Sequence, residues 1–250
     1  MKKILWSIGI LVLVLVISAV VVAGLCLDKI VKMGVITVGP KIVQVPIALD
    51  TIHLSILTGS AKVKGLVVGN PDGYKTPYAI SVGLASVGVN PLTILSDKIV
   101  VRSIEIQNPE ITFEGGLGGN NLSKILDNVN SAAKNGGPVS TNKTAAGNSK
   151  PAKKIEVDDF LITGAKVHVS LTGLGGKEMT LPLPDIHLTD LGTSEDGITA
   201  TDLTRRVLDA ITQATIRAVA KNATDLSNGL TNLGGTGVNK IKSLGSLFGK

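Results

Sequence analysis

The sequence is poor in aromatic residues: one Trp, two Tyr and three Phe, 2% of 250 residues. Its core must therefore be Val, Ile, Leu and Ala, without the large buried area that each aromatic ring brings. That favours a thin, extended layer over a deep globule. A single cysteine, Cys26, excludes an intramolecular disulfide and any cysteine-built metal site. The three histidines, His53, His168 and His187, each alternate with apolar neighbours, which places them on the polar face of a strand. No HExxH or Cys/His metal spacing accompanies them. The nucleophile elbow GxSxG and the phosphate loops GxxxxGK[ST] and GxGxxG are missing too, so the glycine clusters at Gly115–Asn121 and Gly234–Ser243 read as loops. The adjacent Asp158 and Asp159 read as a solvated pair and not as a catalytic dyad. The sequence points away from an enzyme and calls for no cofactor.

Charge is unevenly placed. The net charge is +6, and Lys134, Lys143, Lys150, Lys153 and Lys154 fall between Ser131 and Lys154 with no acidic residue among them. A basic excess suits nucleic acid or an anionic membrane surface. The scarcity of aromatics to stack bases, and the absence of a recognition motif, argue against nucleic acid. The Gly, Ser, Asn and Pro content of 131–154 reads as a flexible basic linker. The tail 223–250 is Gly-rich and basic. Leu244, Leu247 and Phe248 with Lys240, Lys242 and Lys250 make it either a weak amphipathic surface or a disordered segment.

What is present begins with a long apolar run. Lys2 and Lys3 precede 24 uncharged residues, Ile4 to Leu27, including Ile4, Trp6, Leu11, Leu15, Val22 and Leu27. As a helix at about 1.5 Å per residue this spans roughly 36 Å, enough for a bilayer core of about 30 Å. A cleaved signal is the rival reading, with Val21-Val22-Ala23 before a cut, but its apolar region is usually only about 7–15 residues. Residues 1–28 are therefore expected to be a membrane anchor. The short amino-terminal tail places the body outside the cytoplasm, although the flanking positive charges are nearly balanced.

The body alternates apolar and polar residues at period two, the mark of strands with one buried face. Ile99–Glu114, "IVVRSIEIQNPEITFE", realigns 56 residues later on Ile155–Ser170, "IEVDDFLITGAKVHVS". A fainter copy, with Val63, Leu66 and Val68 leading into Asn70-Pro71, lies 38 residues earlier. Each unit is expected to be a strand, a turn at Asn-Pro or Thr-Gly, and an antiparallel return. Apolar phase slips between Val101 and Ile104, and again between Val157 and Phe160. A β-bulge that curves the sheet accounts for both slips, as would two short strands meeting at a corner. Thr51–Leu57, Tyr78–Val89 and Asp185–Thr189 add further strands. Two helices are expected. Asn121–Asn130 has Asn120 or Asn121 as its cap. Thr201–Ala220 carries an apolar stripe of Leu203, Val207, Ile211, Ala214 and Ala218.

An amino-terminal anchor, "IVVRSIEIQNPEITFE" and the following Asn-Leu of "NNLSKIL" resemble the AsmA-like proteins, bacterial relatives of bridge-like lipid-transfer proteins. The later "KIEVDDFLITGAKVHV" resembles the family's next repeat, and the likeness runs from Met1 to about Leu191. It implies a groove-like, curved antiparallel sheet built of repeated bulged strand pairs, mainly β with some α, whose concave face receives lipid acyl chains. The expected order is anchor 1–28, AsmA-like β repeats 29–130, basic linker 131–154, a further β repeat 155–200, an amphipathic helix 201–222 and tail 223–250. The resemblance implies an inner-membrane protein with its body in the periplasm, binding or helping to transfer phospholipid in envelope and outer-membrane biogenesis. Lipid contacts are expected at Leu66, Val68, Ile104, Ile106, Ile111, Phe113, Phe160, Ile162, Val167 and Val169. About ten strands at roughly 4.8 Å spacing give a groove on the order of 50 Å, short for bridging two membranes. The alternative is a membrane-tethered scaffold that docks an envelope protein without carrying lipid.

Overall fold

A computed structural model describes residues 27–116, 119–134, 153–171, 178–194 and 196–222. These form one curved, half-barrel sheet and three helices. The strands are β1 (Ile47–Ser55), β2 (Ser60–Val68), β3 (Ile80–Val89), β4 (Lys98–Gln107), β5 (Glu110–Gly116), β6 (Gly119–Asn120), β7 (Lys154–Thr163), β8 (Lys166–Leu171), β9 (Glu178–Pro182) and β10 (Ile186–Leu191). The sheet order is β10-β7-β4-β3-β5-β8-β9, with β2 and then β1 extending from β3, and β6 on β5. The helices are α1 (27–43), α2 (Asn121–Lys134) and α3 (Ala200–Lys221).

The 56-residue repeat is the register of the sheet itself. Ile99, Val101, Ile104 and Ile106 of β4 pair in parallel with Ile155, Val157, Phe160 and Ile162 of β7. Ile111 and Phe113 of β5 pair in parallel with Val167 and Val169 of β8. This corrects the expectation of a wholly antiparallel sheet and of an antiparallel return after Asn108-Pro109 and Thr163-Gly164. β4 and β5 follow one path along β3, since Leu84 pairs with Gln107 and Ser81 with Glu110 in one continuous register. β7–β8 and β9–β10 continue through their breaks in the same way. Asn108-Pro109 and Gly164-Ala165 are therefore kinks within long strands. The fainter third copy differs from the other two: Asn70-Pro71 lies in the β2–β3 connection, and β3 returns antiparallel to β2 as expected there.

Extending these registers aligns Asp50, Gly65, Gly83, Asn108, Gly164 and Pro184 in one row across six strand paths. Side-chain parity changes in every path at this row. In β2, for example, Ala61 and Val63 face inward before it, Leu66 and Val68 after it. One residue per path absorbs the change, and the left-handed backbone of Gly65, Asn108 and Gly164 (φ 63°, 49° and 64°) supplies the kink. A second irregularity lies where the first phase slip marks it: Gly88 pairs with Ser103 but Val89 with Val101, leaving Arg102 as the extra residue of a β-bulge. The two features curve the sheet so that one aliphatic face is concave.

Helices cover that face unequally. Leu122, Ile125 and Val129 of α2 are fully buried in the core that holds Ile111, Phe113, Val167 and Val169, each such side chain contributing roughly 1.5–3 kcal/mol. α3 packs on α2, β9 and β10. α1 lies along β1: Leu54 N–H donates to Asp28 Oδ1 (2.8 Å) and Lys32 Nζ to the Asp50 carbonyl (2.6 Å). Residues 29–43 are thus helical where β repeats were expected. No helix among the described residues is long and apolar enough to cross a membrane. The expected anchor positions Ile4, Trp6, Leu11, Leu15 and Val22 lie outside the described residues, and Leu27 opens the described part of α1.

Candidate functional site

Where α2 ends its cover, a cavity opens. It has a volume of about 630 Å³ and lies between α1, the concave sheet and the amino-terminal half of α3, within the range of about 300–1,000 Å³ usual for small-molecule sites. α1 contributes Val31, Val35, Val38 and Ile42; the sheet contributes Leu66, Val68, Val82, Ile106 and Phe160; α3 contributes Leu203, Val207 and Ile211. Thr204 is the one polar side chain among the lining residues, and none is ionisable. Gly34 and Gly39 face the space, and a β-carbon added at Gly34 would meet nothing within 4 Å. Such a wall offers no nucleophile, acid, base or metal ligand. It suits a ligand that is itself hydrocarbon, which loses water and meets only dispersion partners there.

Of the ten expected lipid-contacting residues, Leu66, Val68, Ile106 and Phe160 line this cavity. Ile104 is half-buried beside it, packed on the core. Ile111, Phe113, Ile162, Val167 and Val169 are at most 1% exposed, the first two and the last two on the half of the sheet that α2 helps to cover. The repeat alone treats equivalent positions alike; the helices distinguish them. The α1 wall escaped the sequence reading, in which residues 29–43 belong to the expected β repeats.

A buried polar cluster fixes α2 to the sheet. Asn120 caps the helix, its Oδ1 accepting from Ser123 N–H (2.8 Å). Asn121 is fully buried and does something else: its Oδ1 accepts from Glu114 N–H (3.0 Å), and its amide donates to the Thr112 carbonyl and to Asn70 Oδ1, both at 2.8 Å. The Glu114 carboxylate accepts from Lys75 N–H, Thr76 N–H and the Thr76 hydroxyl at 2.7–2.9 Å. Burial pushes its pKa up, but these hydrogen bonds and the Lys75 charge outweigh it and hold the group below the ordinary carboxylate range. Elsewhere His187 pairs with Asp159, His168 with Thr180 and Glu110, and His53 with Asp28. No group of three His, Cys, Asp or Glu among the described residues is arranged to hold a metal ion.

A comparison with curated proteins finds no match. The sequence model of the AsmA family matches residues 1–178, from the apolar run through α1, the first eight strands and α2 to the start of β9. Family membership agrees with a membrane-associated role in the bacterial envelope or in lipid handling, and the family is not one of known enzymes. The first eight strands of the half-barrel, its kink at Asn108-Pro109 and the Asn121-Leu122 helix start fall inside the matched segment, whereas β10 and α3 lie beyond it, and the chain belongs to the AsmA family.

Proposed function

We propose that this protein is a non-catalytic lipid-binding member of its family, anchored in the inner membrane by residues 1–28 and facing the periplasm. It accommodates phospholipid acyl chain in the cavity between α1, the sheet and α3, as part of envelope and outer-membrane biogenesis. The observation that carries the reading is the lining: twenty residues from three elements, with Thr204 its one polar side chain. An aliphatic space of about 630 Å³ left without an apolar occupant forfeits the dispersion contacts of its walls, and an acyl chain restores them. α2 covers the face at β5 and β6 and α3 packs on β9 and β10, so lipid is held locally at Ile106 and Phe160 and not along the whole sheet.

The test is lipid extraction and native mass spectrometry of the full chain purified from membranes in mild detergent, wild type against Ile106→Glu. Stoichiometric phospholipid that the variant loses while keeping its unfolding transition is the expected result. A folded wild-type protein without lipid would sink the proposal and leave the scaffold reading.

A further inference from the structure

The end of the sheet at which α1 begins gathers exposed leucines on two separate turns. Leu57, in the β1–β2 turn, is 83% exposed; Leu92 and Leu95, in the β3–β4 connection, are 89% and 93% exposed. The two turns are adjacent, since Val89 N–H donates to the Gly59 carbonyl (2.6 Å). Three leucines held out in water on short, hydrogen-bonded turns contribute nothing to the core. Solvent exposure costs each of them the burial it would gain at an apolar surface.

Two further features converge on this end. The apolar run Ile4–Leu27 meets the described chain at Leu27, and the next residue, Asp28, accepts from Leu54 N–H just before the β1–β2 turn. The basic linker rejoins the sheet here as well: Lys154 N–H donates to the Asp97 carbonyl (2.8 Å), and Lys153 Nζ reaches the Ile94 carbonyl (2.6 Å) in the turn that bears Leu92 and Leu95. The opposite end, at the β2–β3 connection, presents Asp72 and no exposed large hydrophobic residue among the described residues.

From this convergence we infer that Leu57, Leu92 and Leu95 seat the end of the half-barrel in the interfacial layer of the same bilayer that holds the apolar run, with the lysines at 153 and 154 beside anionic headgroups. The occupant is a lipid surface. Asp28, one residue past the apolar run, is hydrogen-bonded beside the β1–β2 turn, leucine suits the acyl boundary, and exposed Lys153 brings positive charge to a connection that also holds Asp97. The seating fixes which end of the cavity faces the bilayer; it rests on the proposed anchor and goes beyond the cavity proposal, whose lipid content is measured separately.

The test uses the full chain reconstituted into vesicles of phosphatidylethanolamine and phosphatidylglycerol, with an environment-sensitive dye on a single cysteine. Wild-type Cys26 reports the apolar run. On a Cys26→Ser background, Leu57→Cys, Leu92→Cys and Leu95→Cys report the turns, and Asp72→Cys reports the far end. Nitroxide carried on the lipids is expected to extinguish the dye at Cys26 and at all three turn positions, with loss of quenching at position 72. Quenching at Cys26 with none at the turns would overturn the seating while leaving the anchor intact. Turn positions shielded from aqueous iodide but not quenched by lipid nitroxide would overturn it in favour of a protein partner. Failure at Cys26 and the turns together would overturn both the seating and the anchor.

Discussion

Asn108 and Gly164 sit side by side in neighbouring parallel strand paths, both with left-handed backbone, φ 49° and 64°. Asn108 N–H donates to the Thr163 carbonyl (2.8 Å), and a β-carbon at Gly164 would come within 2.5 Å of Asn108 Oδ1. The two residues are one step in the crease that runs from Asp50 to Pro184. Because every path takes its extra residue at the same register, the ladders on either side remain in step. A kink in one strand alone would set its side chains out of phase with both neighbours. The crease is thus a property of the whole sheet, and it lets residues on both sides of it face one concave surface.

Gly164→Val is accordingly expected to be costly. A β-branched residue is strained at φ 64° and its β-carbon collides with Asn108, so a loss of about 2–3 kcal/mol is expected in urea unfolding. Gly73→Ala is the control, at φ 95° in a loop where an added β-carbon meets nothing within 4 Å. Its cost should stay near 1 kcal/mol. Equal costs for the two would show that the crease does not constrain Gly164.

The two asparagines that open α2 should separate by mechanism. Asn120→Ala removes a helix cap, and about 1 kcal/mol is expected. Asn121→Ala strands Glu114 N–H, the Thr112 carbonyl and the Asn70 side chain in a fully buried site, for which about 2–4 kcal/mol is expected. Asn121→Asp should not rescue stability, because a carboxylate cannot donate to the two acceptors. Chemical denaturation of the three variants gives the order; Asn120→Ala as the worst would refute it.

Much of the crease was legible in the sequence, but its meaning was not. The apolar phase slips within the strands, and the 56-residue offset gives the β4–β7 and β5–β8 registers directly. The error lay in reading Asn108-Pro109 and Thr163-Gly164 as reversals, as Asn70-Pro71 is. A left-handed residue serves a hairpin or a kink equally well, and only the pairing partner decides between them. Tertiary context also hid half of α3. The expected stripe of Leu203, Val207 and Ile211 is the cavity side, whereas Leu208, Thr212, Thr215 and Val219 are buried as well. Two threonines gave that second face a polar look. α1 was hidden too, since residues 29–43 stand at the head of the segment expected to be β repeats.

Acid should loosen the α2 end of the sheet through Glu114. Its pKa is depressed in the folded chain, so the unfolded chain binds the proton more readily. The stabilisation is complete above the ordinary glutamate value of about 4.3 and fades as pH falls through the lower folded value. Glu114→Gln is expected to cost about 1–3 kcal/mol at pH 7 and to flatten stability against pH below that range. Melting temperatures measured from pH 7 to pH 3 check both points. A variant whose acid slope matches the wild type would exclude Glu114 as the source.

Gly34 offers a change whose two effects have opposite signs. It lies in α1, lines the cavity, and has open space where a β-carbon would go. Gly34→Leu removes a helix-interior glycine, a gain of about 0.5–1 kcal/mol, and places an aliphatic side chain in the cavity that α1 shares with the sheet and α3. The lipid-free protein should therefore melt higher than wild type, while the phospholipid that copurifies with it falls. If the cavity is only loose packing, the melting point rises and lipid content does not move, because wild type holds none. If the half-barrel closes on lipid, filling the space costs occupancy even as it adds stability. Lipid phosphate per protein, measured beside the melting curve, separates these outcomes in one preparation.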